Sequence, residues 1–413
     1  PHHHSSAASD VYKRQKMFLT LWNVHKFHLD YAILDNFDYS KDFIPVDKRN
    51  ALDRWILSRV SSVAENYHDQ YVSWEFHKAA RELENFVIND LSNWYVRRSR
   101  RRLWDEAESH DKRACQFTLH EVLLTVSKLM APIAPFMPDK IHFDLTGTSV
   151  HTADWPLGSD LVDKNLPPQD LGLEKEMSIV RMLAETGRKI RVEAKRRQRL
   201  PCKEGWIVGG PDLSEFHSII AEELNVENLT TENNLDRFQK IEVLPNHKVL
   251  GAKCRADLPK VLSELSQLDP DSLLSDIEKG TAKLAGFEIT SEDINIKRVE
   301  KEGYAASTFE VEETGDISLV LDVEITDDLV SKGLAREITR RIQSKRKELD
   351  LDLEASISLK VWLELDSPKL NEDDWQYIIS ETRSKPSELI IGNPEKDLDN
   401  FQVENNKIYF KVN

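Results

Sequence analysis

Apolar residues recur every three or four positions in two consecutive stretches between Asn50 and Trp104. In the first stretch these residues are Leu52, Trp55, Ile56, Val60, Val63 and Tyr67. In the second they are Phe76, Ala79, Ala80, Leu83, Phe86, Val87, Leu91, Trp94 and Tyr95. This spacing places each set on one face of an α-helix. The pattern therefore predicts two amphipathic helices in tandem.

Further helical patterns flank this pair. An aromatic-rich run lies within residues 16–40, and His25 and His28 are three positions apart on it. We interpret both as ordinary helix residues, because no carboxylate or third ligand accompanies them. A third amphipathic helix covers 117–130 and is ended by Pro132, Pro135 and Pro138, since proline cannot continue a helix. Residues 16–156 are thus predicted to form an all-α helical bundle.

The pattern changes after the bundle. Residues 157–170 are polar, contain two prolines, and are typical of a linker. Beyond them, helical patterns at 172–199, 212–224, 256–267 and 270–280 alternate with strand patterns at 206–208, 241–244, 318–325 and 356–363. A last strand pattern, 407–412, is predicted to be an edge strand. This mixture indicates an α+β region over 171–413, divided into 171–320 and 321–413.

Two basic helical patterns in this region resemble each other. One covers 188–199 and precedes the strand at 206, and the other covers 334–347 and precedes the strand at 356. Each has apolar residues on one face and bases on the opposite face. The similarity is a hypothesis of a degenerate internal repeat.

The first 15 residues differ in composition from the rest. A His triplet is followed by serine and alanine, which is typical of a tag or cloning remnant. We exclude residues 1–15 from the fold prediction.

Composition narrows the functional classes. The chain has 413 residues and a formal net charge of −16, but the acidic excess lies entirely within 201–330, and local patches decide which partner a surface attracts. The three cysteines, Cys115, Cys202 and Cys254, form no C-x-x-C pair, which argues against a disulfide framework or a zinc ribbon and favours the reducing cytoplasm. The sequence contains no run of 18 apolar residues, so it predicts no membrane-spanning helix.

A dense arginine cluster ends the second helix of the tandem. Its members are Arg97, Arg98, Arg100, Arg101 and Arg102, with only Ser99 between them. So many like charges within two turns repel one another, and a polyanion opposite would offset that cost. Two alternatives stay open: a solvated helix end that complements the helix dipole, or pairing with Asp105, Glu106 or Glu108, which follow directly.

Several motifs carry a family resemblance. L-D-R-W-I-L-S-R at 52–59 and N-D-L-S-x-W-Y-V-R-R-S-R-R-R-x-W at 89–104 resemble the anticodon-binding helical domain of class I aminoacyl-tRNA synthetases. The second motif is similar to the isoleucyl enzymes in their archaeal and eukaryotic-cytoplasmic form. The segments A-P-I-A-P-F-M-P-D-K-I at 131–141, S-V-H-T-A-D-W-P at 149–156 and G-L-A-R-E-I-x-R-R-I-Q at 333–343 resemble the same family.

This resemblance implies a function and a set of contact residues. It implies the C-terminal part of an isoleucyl-tRNA synthetase, with tRNA and the remainder of the synthetase chain as partners, and neither a membrane nor DNA. An anticodon loop presents unstacked bases on a polyanionic backbone, and aromatic and cationic side chains recognise it. The candidate tRNA-binding residues are Trp94, Arg97, Arg98, Arg100, Arg101, Arg102, Trp104, Lys195, Arg196, Arg197, Arg340 and Arg341.

The resemblance implies that the catalytic and editing activities of the family belong to other domains. The family's H-I-G-H and K-M-S-K-S motifs are not found in the sequence, so ATP and Mg²⁺ are assigned to a separate catalytic domain, and the chain is expected to need no cofactor, metal or catalytic residue of its own. The family's editing domain is likewise not found. For Trp94, packing in a hydrophobic core is the competing interpretation.

Three other functions remain open from the sequence. The chain could belong to a valyl or leucyl enzyme instead, which the preferred tRNA would distinguish. It could be a free-standing RNA-binding or assembly module. It could also be a helical scaffold with no RNA role, which an absence of RNA binding at low salt would favour.

Overall fold

The structure is a computed structural model that describes residues 3–41, 43–104, 109–156, 169–280, 282–312, 314–351, 355–364, 369–392, 394, 398–403 and 406–412. The chain forms two compact units, Pro1–Ile179 and Val180–Asn413. The first is helical and the second combines helices with sheets, which confirms the predicted fold class. The predicted linker, 157–170, lies almost wholly outside the described residues.

The helical unit contains the predicted tandem. Its helices are α1 (His3–Leu34), α2 (Ala51–Val72), α3 (Phe76–Asn85), α4 (Arg97–Trp104), α5 (His110–Met130), α6 (Phe136–Thr146) and the first part of α7 (Leu171–Glu193). Most of the predicted apolar faces are buried, as Trp55 and Leu83 illustrate at 2% and 0% exposure, but Phe76 at the beginning of α3 is 42% exposed. Capping sets the beginning of α2, because the Asn50 side chain accepts a hydrogen bond from the Asp53 N–H at 2.9 Å.

One part of the tandem differs from the α-helix that the spacing predicts. Between α3 and α4, Phe86–Val96 is a π-helical segment, and it ends with the Arg97 N–H bonded to the Ser92 carbonyl five residues earlier. Five-residue spacing suits this wider turn, since Phe86, Leu91 and Val96 are all buried. The segment therefore changes which side chains of α4 face the core.

Polar contacts join the outer helices of this unit. Nε2 of His25 on α1 lies 3.0 Å from Oδ2 of Asp144 on α6. Asp35, which follows α1, accepts hydrogen bonds at 2.6 Å from Lys112 and from Gln116 on α5. These contacts pin α1 against α5 and α6, and His25 and His28 are both buried in the bundle.

Buried histidines predict how stability depends on pH. Burial, together with neighbouring His120 and His25, lowers the pKa of His28 to about 3, and burial lowers that of His120 to about 4. In the unfolded chain both imidazoles titrate near pH 6.5, so below that pH the unfolded state takes up protons that the folded state excludes. Stability is therefore lost as pH falls from about 6.5 toward 4.

We expect His28→Phe to reduce the loss of unfolding free energy between pH 7 and pH 5 by ~2 kcal/mol, because one titrating group contributes ~1.4 kcal/mol per pH unit. The replacement keeps a ring beside Phe37, whose centroid lies 6.2 Å away. Urea unfolding of the full chain at pH 7, 6 and 5 measures the effect. His151→Phe, at an exposed histidine, is the control. Equal pH dependence in wild type and His28→Phe would contradict this account.

The second unit holds the remaining helices and all the strands of the described residues. The helices are α8 (His217–Leu224), α9 (His247–Cys254), α10 (Leu258–Leu265), α11 (Pro270–Glu278), α12 (Asp327–Glu348) and α13 (Glu372–Thr382). The strands are β1 (Cys202–Val208), β2 (Val226–Glu232), β3 (Gln239–Pro245), β4 (Lys283–Leu284), β5 (Phe287–Glu288), β6 (Ile294–Glu300), β7 (Tyr304–Val311), β8 (Gly315–Asp322), β9 (Ile357–Leu363), β10 (Ser384–Ile391), β11 (Asp399–Val403) and β12 (Asn406–Val412).

Two four-stranded sheets have the same topology. Their orders are β2-β1-β8-β7 and β10-β9-β12-β11. In the first sheet, helix α8 connects the central strand β1 to the parallel edge strand β2. In the second sheet, helix α13 connects the central strand β9 to the parallel edge strand β10. All other neighbouring strands in the two sheets are antiparallel. The segment from β3 to β6 is inserted into the first sheet only and has its own apolar core around Leu250 and Val261. The structure thus shows the internal repeat that the two basic helices indicated.

The repeat extends to the ends of the two basic helices. At the end of α7, Lys195 has a φ of 56° and the Arg196 N–H bonds the Arg191 carbonyl. At the end of α12, Asp350 has a φ of 51° and the Leu351 N–H bonds the Arg346 carbonyl. Both ends are Schellman caps. The prediction of a helix to residue 199 is therefore wrong, because the chain turns after Glu193.

A buried arginine holds each turn in place. Arg191 donates to the carbonyls of Leu200 and Leu224, both at 2.7 Å. Arg346 donates to the carbonyls of Ala355 at 2.8 Å and Thr382 at 3.1 Å. Two of the bases in these patterns therefore bind the protein's own backbone.

The last strand is also placed differently from the prediction. β12 lies between β9 and β11, with Tyr409 opposite Trp362 and Asn400 opposite Tyr409. It is a central strand, and β11 is at the edge. The described helices include none long and apolar enough to cross a lipid bilayer.

Candidate nucleic-acid interface

The arginines of α4 divide between two faces of the helix. Arg97, Arg100 and Arg101 are exposed, whereas Arg98 and Arg102 are partly buried. At ~100° per residue, positions 97 and 101 fall on one side and positions 98 and 102 on another. We call the exposed set, Arg97, Arg100 and Arg101, the arginine face.

Arg102 binds a carboxylate in the core. Its two terminal nitrogens contact the two carboxylate oxygens of Asp53 at 2.8 and 2.7 Å, and its Nε lies 2.7 Å from Oδ2 of Asp111. Asp53 is fully buried. A paired fork of this kind is among the stronger polar contacts in proteins, so Arg102 is placed to hold the bundle together. The acidic residues at 105, 106 and 108 lie outside the described residues.

A tyrosine completes this buried network. The Tyr95 hydroxyl donates to Oδ1 of Asp53 at 2.5 Å. Burial raises the pKa of the Tyr95 hydroxyl well above its usual range, and the Asp53 carboxylate adds to the shift. The phenol therefore stays protonated and keeps donating to the carboxylate.

Arg98 and Trp94 pack against each other. The Arg98 guanidinium carbon lies 3.2 Å from the centroid of the Trp94 ring, and Nη1 of Arg98 donates to the Trp94 carbonyl at 2.9 Å. Trp94 is 6% exposed, and its Nε1 lies 3.1 Å from Sδ of Met177. The structure thus places Trp94 in the core under a cation. Its contact with RNA stays a prediction, as does that of Trp104, which is half-buried.

The arginine face is the solvent-exposed part of the cluster. Nε of Arg97 donates to the Asn93 carbonyl at 3.2 Å, which directs its side chain along the helix surface. Arg100 has neither a hydrogen bond nor an ion pair within the described residues. Guanidinium groups spread along one helix face suit several phosphates in succession, because each planar fork binds two oxygens.

A second group of cations lies in the other unit, around one carboxylate. Glu337 on α12 accepts from Arg340 at 2.8 Å and from Arg341 at 3.0 Å, and it also contacts Arg199. Burial opposes ionisation of Glu337, but the hydrogen bonds from Arg340 and Arg341 hold the pKa of its carboxyl below the usual range. Three guanidinium groups around one carboxylate leave a positive excess.

The loop after α7 contributes cations to the same unit. Lys195 and Arg197 are exposed, whereas Nε of Arg196 donates to the Val323 carbonyl at 2.7 Å. Arg196 is therefore engaged in holding the loop against the chain after β8. Sequence reasoning missed Arg199 and Glu337, because their pairing spans 138 residues and has no local pattern.

The motifs that carried the family resemblance prove to be internally paired. Asp53 of the first motif binds Tyr95 and Arg102 of the second. Arg59 of the first motif contacts Asp90 of the second at 3.1 Å. The signature thus describes how α2 packs against the π-helical segment and α4, with the arginine face as its exposed part.

Comparisons with known proteins agree with this architecture. Residues 53–205 match the family model described as the anticodon-binding domain of tRNA ligases. The isoleucine–tRNA ligase of Methanocaldococcus jannaschii is 33% identical over 92% of this chain and 35% of its own length. That of Bacillus thuringiensis is 33% identical over 84% of this chain and 33% of its own length, and that of Clostridium acetobutylicum is 33% identical over 85% and 34%.

These relatives come from an archaeon and from bacteria. The chain spans about a third of the length of the relatives it matches. The match includes both the helical unit, with its Asp53–Arg102 network, and most of the α+β unit. Residues 53–205 therefore belong to the anticodon-binding domain family of tRNA ligases, and the chain as a whole is similar to about a third of an isoleucine–tRNA ligase.

Proposed function

We propose that this chain binds the isoleucine-specific tRNA and presents it to the catalytic part of an isoleucine–tRNA ligase, which attaches isoleucine using ATP. The match of residues 53–205 to the anticodon-binding domain carries the proposal. In this assignment ATP and Mg²⁺ act in the catalytic part, and the protein works in the cytoplasm.

The arginine face supports tRNA as the partner. Its three side chains are exposed on a helix whose opposite side is held by a buried ion pair. The helix is therefore a rigid support for cations that meet a polyanion, and phosphate contacts of this kind supply much of the affinity for nucleic acids.

The proposal predicts a preference for one anticodon. The full chain is titrated with a transcript of isoleucine tRNA and with the same transcript carrying a different anticodon. We expect the native anticodon to bind about tenfold more tightly or better, because a changed base leaves hydrogen-bonding groups of the protein unpaired, and each unpaired buried group costs ~1–3 kcal/mol. A DNA duplex of similar length is the control for charge alone. Equal affinity for all three ligands, or no binding at low salt, would contradict the proposal.

A further inference from the structure

A cavity of about 550 Å³ lies in the second unit beside α12. The loop that follows α7 forms one wall, and the beginning of α12 forms another. Apolar side chains line much of it: Leu200, Ile325, Val330 and Leu334. We call this cavity the α12 pocket. Ile325 is 47% exposed, so an apolar surface is offered to solvent at the pocket.

Cations and amides also line the α12 pocket. The guanidinium groups come from Arg197, Arg199 and Arg341, and the amides from Gln198 and Gln402. Arg341 lies over the Phe401 ring, with its guanidinium carbon 5.3 Å from the ring centroid, which restrains the position of this cation. The pocket therefore combines an apolar wall, amide groups and a positive edge.

The acidic residue of the pocket does not cancel this charge. Glu337 is the one carboxylate among the described lining residues. It is 7% exposed and already engaged by Arg199, Arg340 and Arg341. The side chains of Arg199 and Arg341 are 52% and 41% exposed, so an anion in solution can reach them.

We infer that the α12 pocket holds one unpaired nucleotide of the bound RNA. A flat base fits between the aliphatic wall and the guanidinium plane of Arg341, because arginine planes and apolar side chains stack on bases. The Gln198 and Gln402 amides each combine a donor and an acceptor, as base edges require. Arg199, whose side chain is 52% exposed, receives the phosphate. A volume of about 550 Å³ is within the range of cavities that hold small molecules.

The inference rests on the proposed tRNA function, and a matched pair of variants tests it separately. Arg341 lines the pocket, whereas Arg340 does not, yet both donate to Glu337. Arg341→Gln and Arg340→Gln therefore remove the same charge from adjacent positions of one helix. A third variant, Val330→Trp, fills the pocket without changing the charge.

The affinity of the full chain for the isoleucine tRNA transcript is measured at constant salt by fluorescence anisotropy. We expect Arg341→Gln and Val330→Trp each to weaken binding about tenfold, the usual effect of losing one stacked base, and Arg340→Gln to weaken it less than about threefold. Circular dichroism checks that each variant folds, and Arg341→Gln keeps the test valid if Val330→Trp does not.

The possible outcomes distinguish a failure of the pocket inference from a failure of the proposed tRNA function. If the wild-type chain binds tRNA but Arg341→Gln affects binding no more than Arg340→Gln, the pocket inference is overturned and the proposed function stands. If the wild-type chain does not bind tRNA, both fail. A peptide of alternating glutamate and leucine is tested as a second ligand. If this peptide binds the wild-type chain but not Arg341→Gln, and both proteins bind tRNA equally well, the pocket belongs to a protein partner and the inference is overturned.

Discussion

Arg102→Met is expected to destabilise the helical unit by about 3–5 kcal/mol, the usual cost of removing one partner from a buried ion pair. Arg102 donates to both carboxylate oxygens of Asp53, and Asp53 is fully buried. Methionine fills much of the same volume but leaves that carboxylate without its cationic partner, beside the Tyr95 hydroxyl. The uncompensated charge in the core, more than the lost contact, causes the expected effect.

Hydrogen exchange of the full chain measures this change locally, because the amides of α2, α4 and α5 report the opening of the helical unit. Arg100→Met is the matched control. It removes the same charge from the same helix at an exposed position, and we expect a change within about 0.5 kcal/mol. If the two variants lose the same protection, the Asp53–Arg102 pair does not stabilise the bundle in the way that its geometry indicates.

The second large effect concerns RNA binding. We expect the triple variant Arg97→Gln, Arg100→Gln, Arg101→Gln to lower the slope of log K against log salt by about two, since each phosphate contact in a single-stranded loop contributes about 0.7. At ~0.1 M salt this corresponds to about a hundredfold weaker binding. Both the native and the changed anticodon should be weakened to similar extents, because phosphate contacts carry no sequence information.

A matched triple variant separates this effect from net charge. Lys41, Lys48 and Lys78 belong to the same unit, are at least half exposed, and pair with local acids. Replacing these three with glutamine changes the net charge of the chain by the same amount. We expect the salt slope of this control to stay close to that of wild type. An arginine-face variant that behaves like the lysine control would show that the arginine face is a solvated helix surface.

The two predictions assign different tasks to neighbouring arginines. Arg102 is expected to affect stability first, and RNA binding only through the position of α4. Arg97, Arg100 and Arg101 are expected to affect RNA binding with little change in stability. Single replacements of Arg102 and Arg101, each measured for unfolding and for tRNA affinity, would display the division directly.

The sequence by itself determined the fold class and the position of most elements. Helices α2 and α5 and strands β8 and β9 lie where the apolar period predicts them, because that period reflects backbone geometry that is encoded locally. The motifs at 52–59 and 89–104 also sufficed to indicate the family that the comparisons identify. Their arginines marked the region in which a polyanion is expected to bind.

Only the tertiary structure decided which arginines are exposed and which are buried. Arg102 faces the core because Asp53, 49 residues earlier, lies opposite it, and because the π-helical segment Phe86–Val96 changes the orientation of α4. Local spacing cannot predict either contact. The same holds for Arg199 and Glu337, which meet across two elements of the second unit.

Strand order and helix ends were decided in the same way. β12 is central because β11 pairs with its outer side. The pattern of apolar residues within one strand does not show whether that strand has one neighbour or two. Helix α7 ends at Glu193 because the buried Arg191 binds carbonyls from the loop and from the end of α8. Secondary structure follows from short-range periodicity, whereas the surface that a ligand meets depends on contacts between residues far apart in the chain.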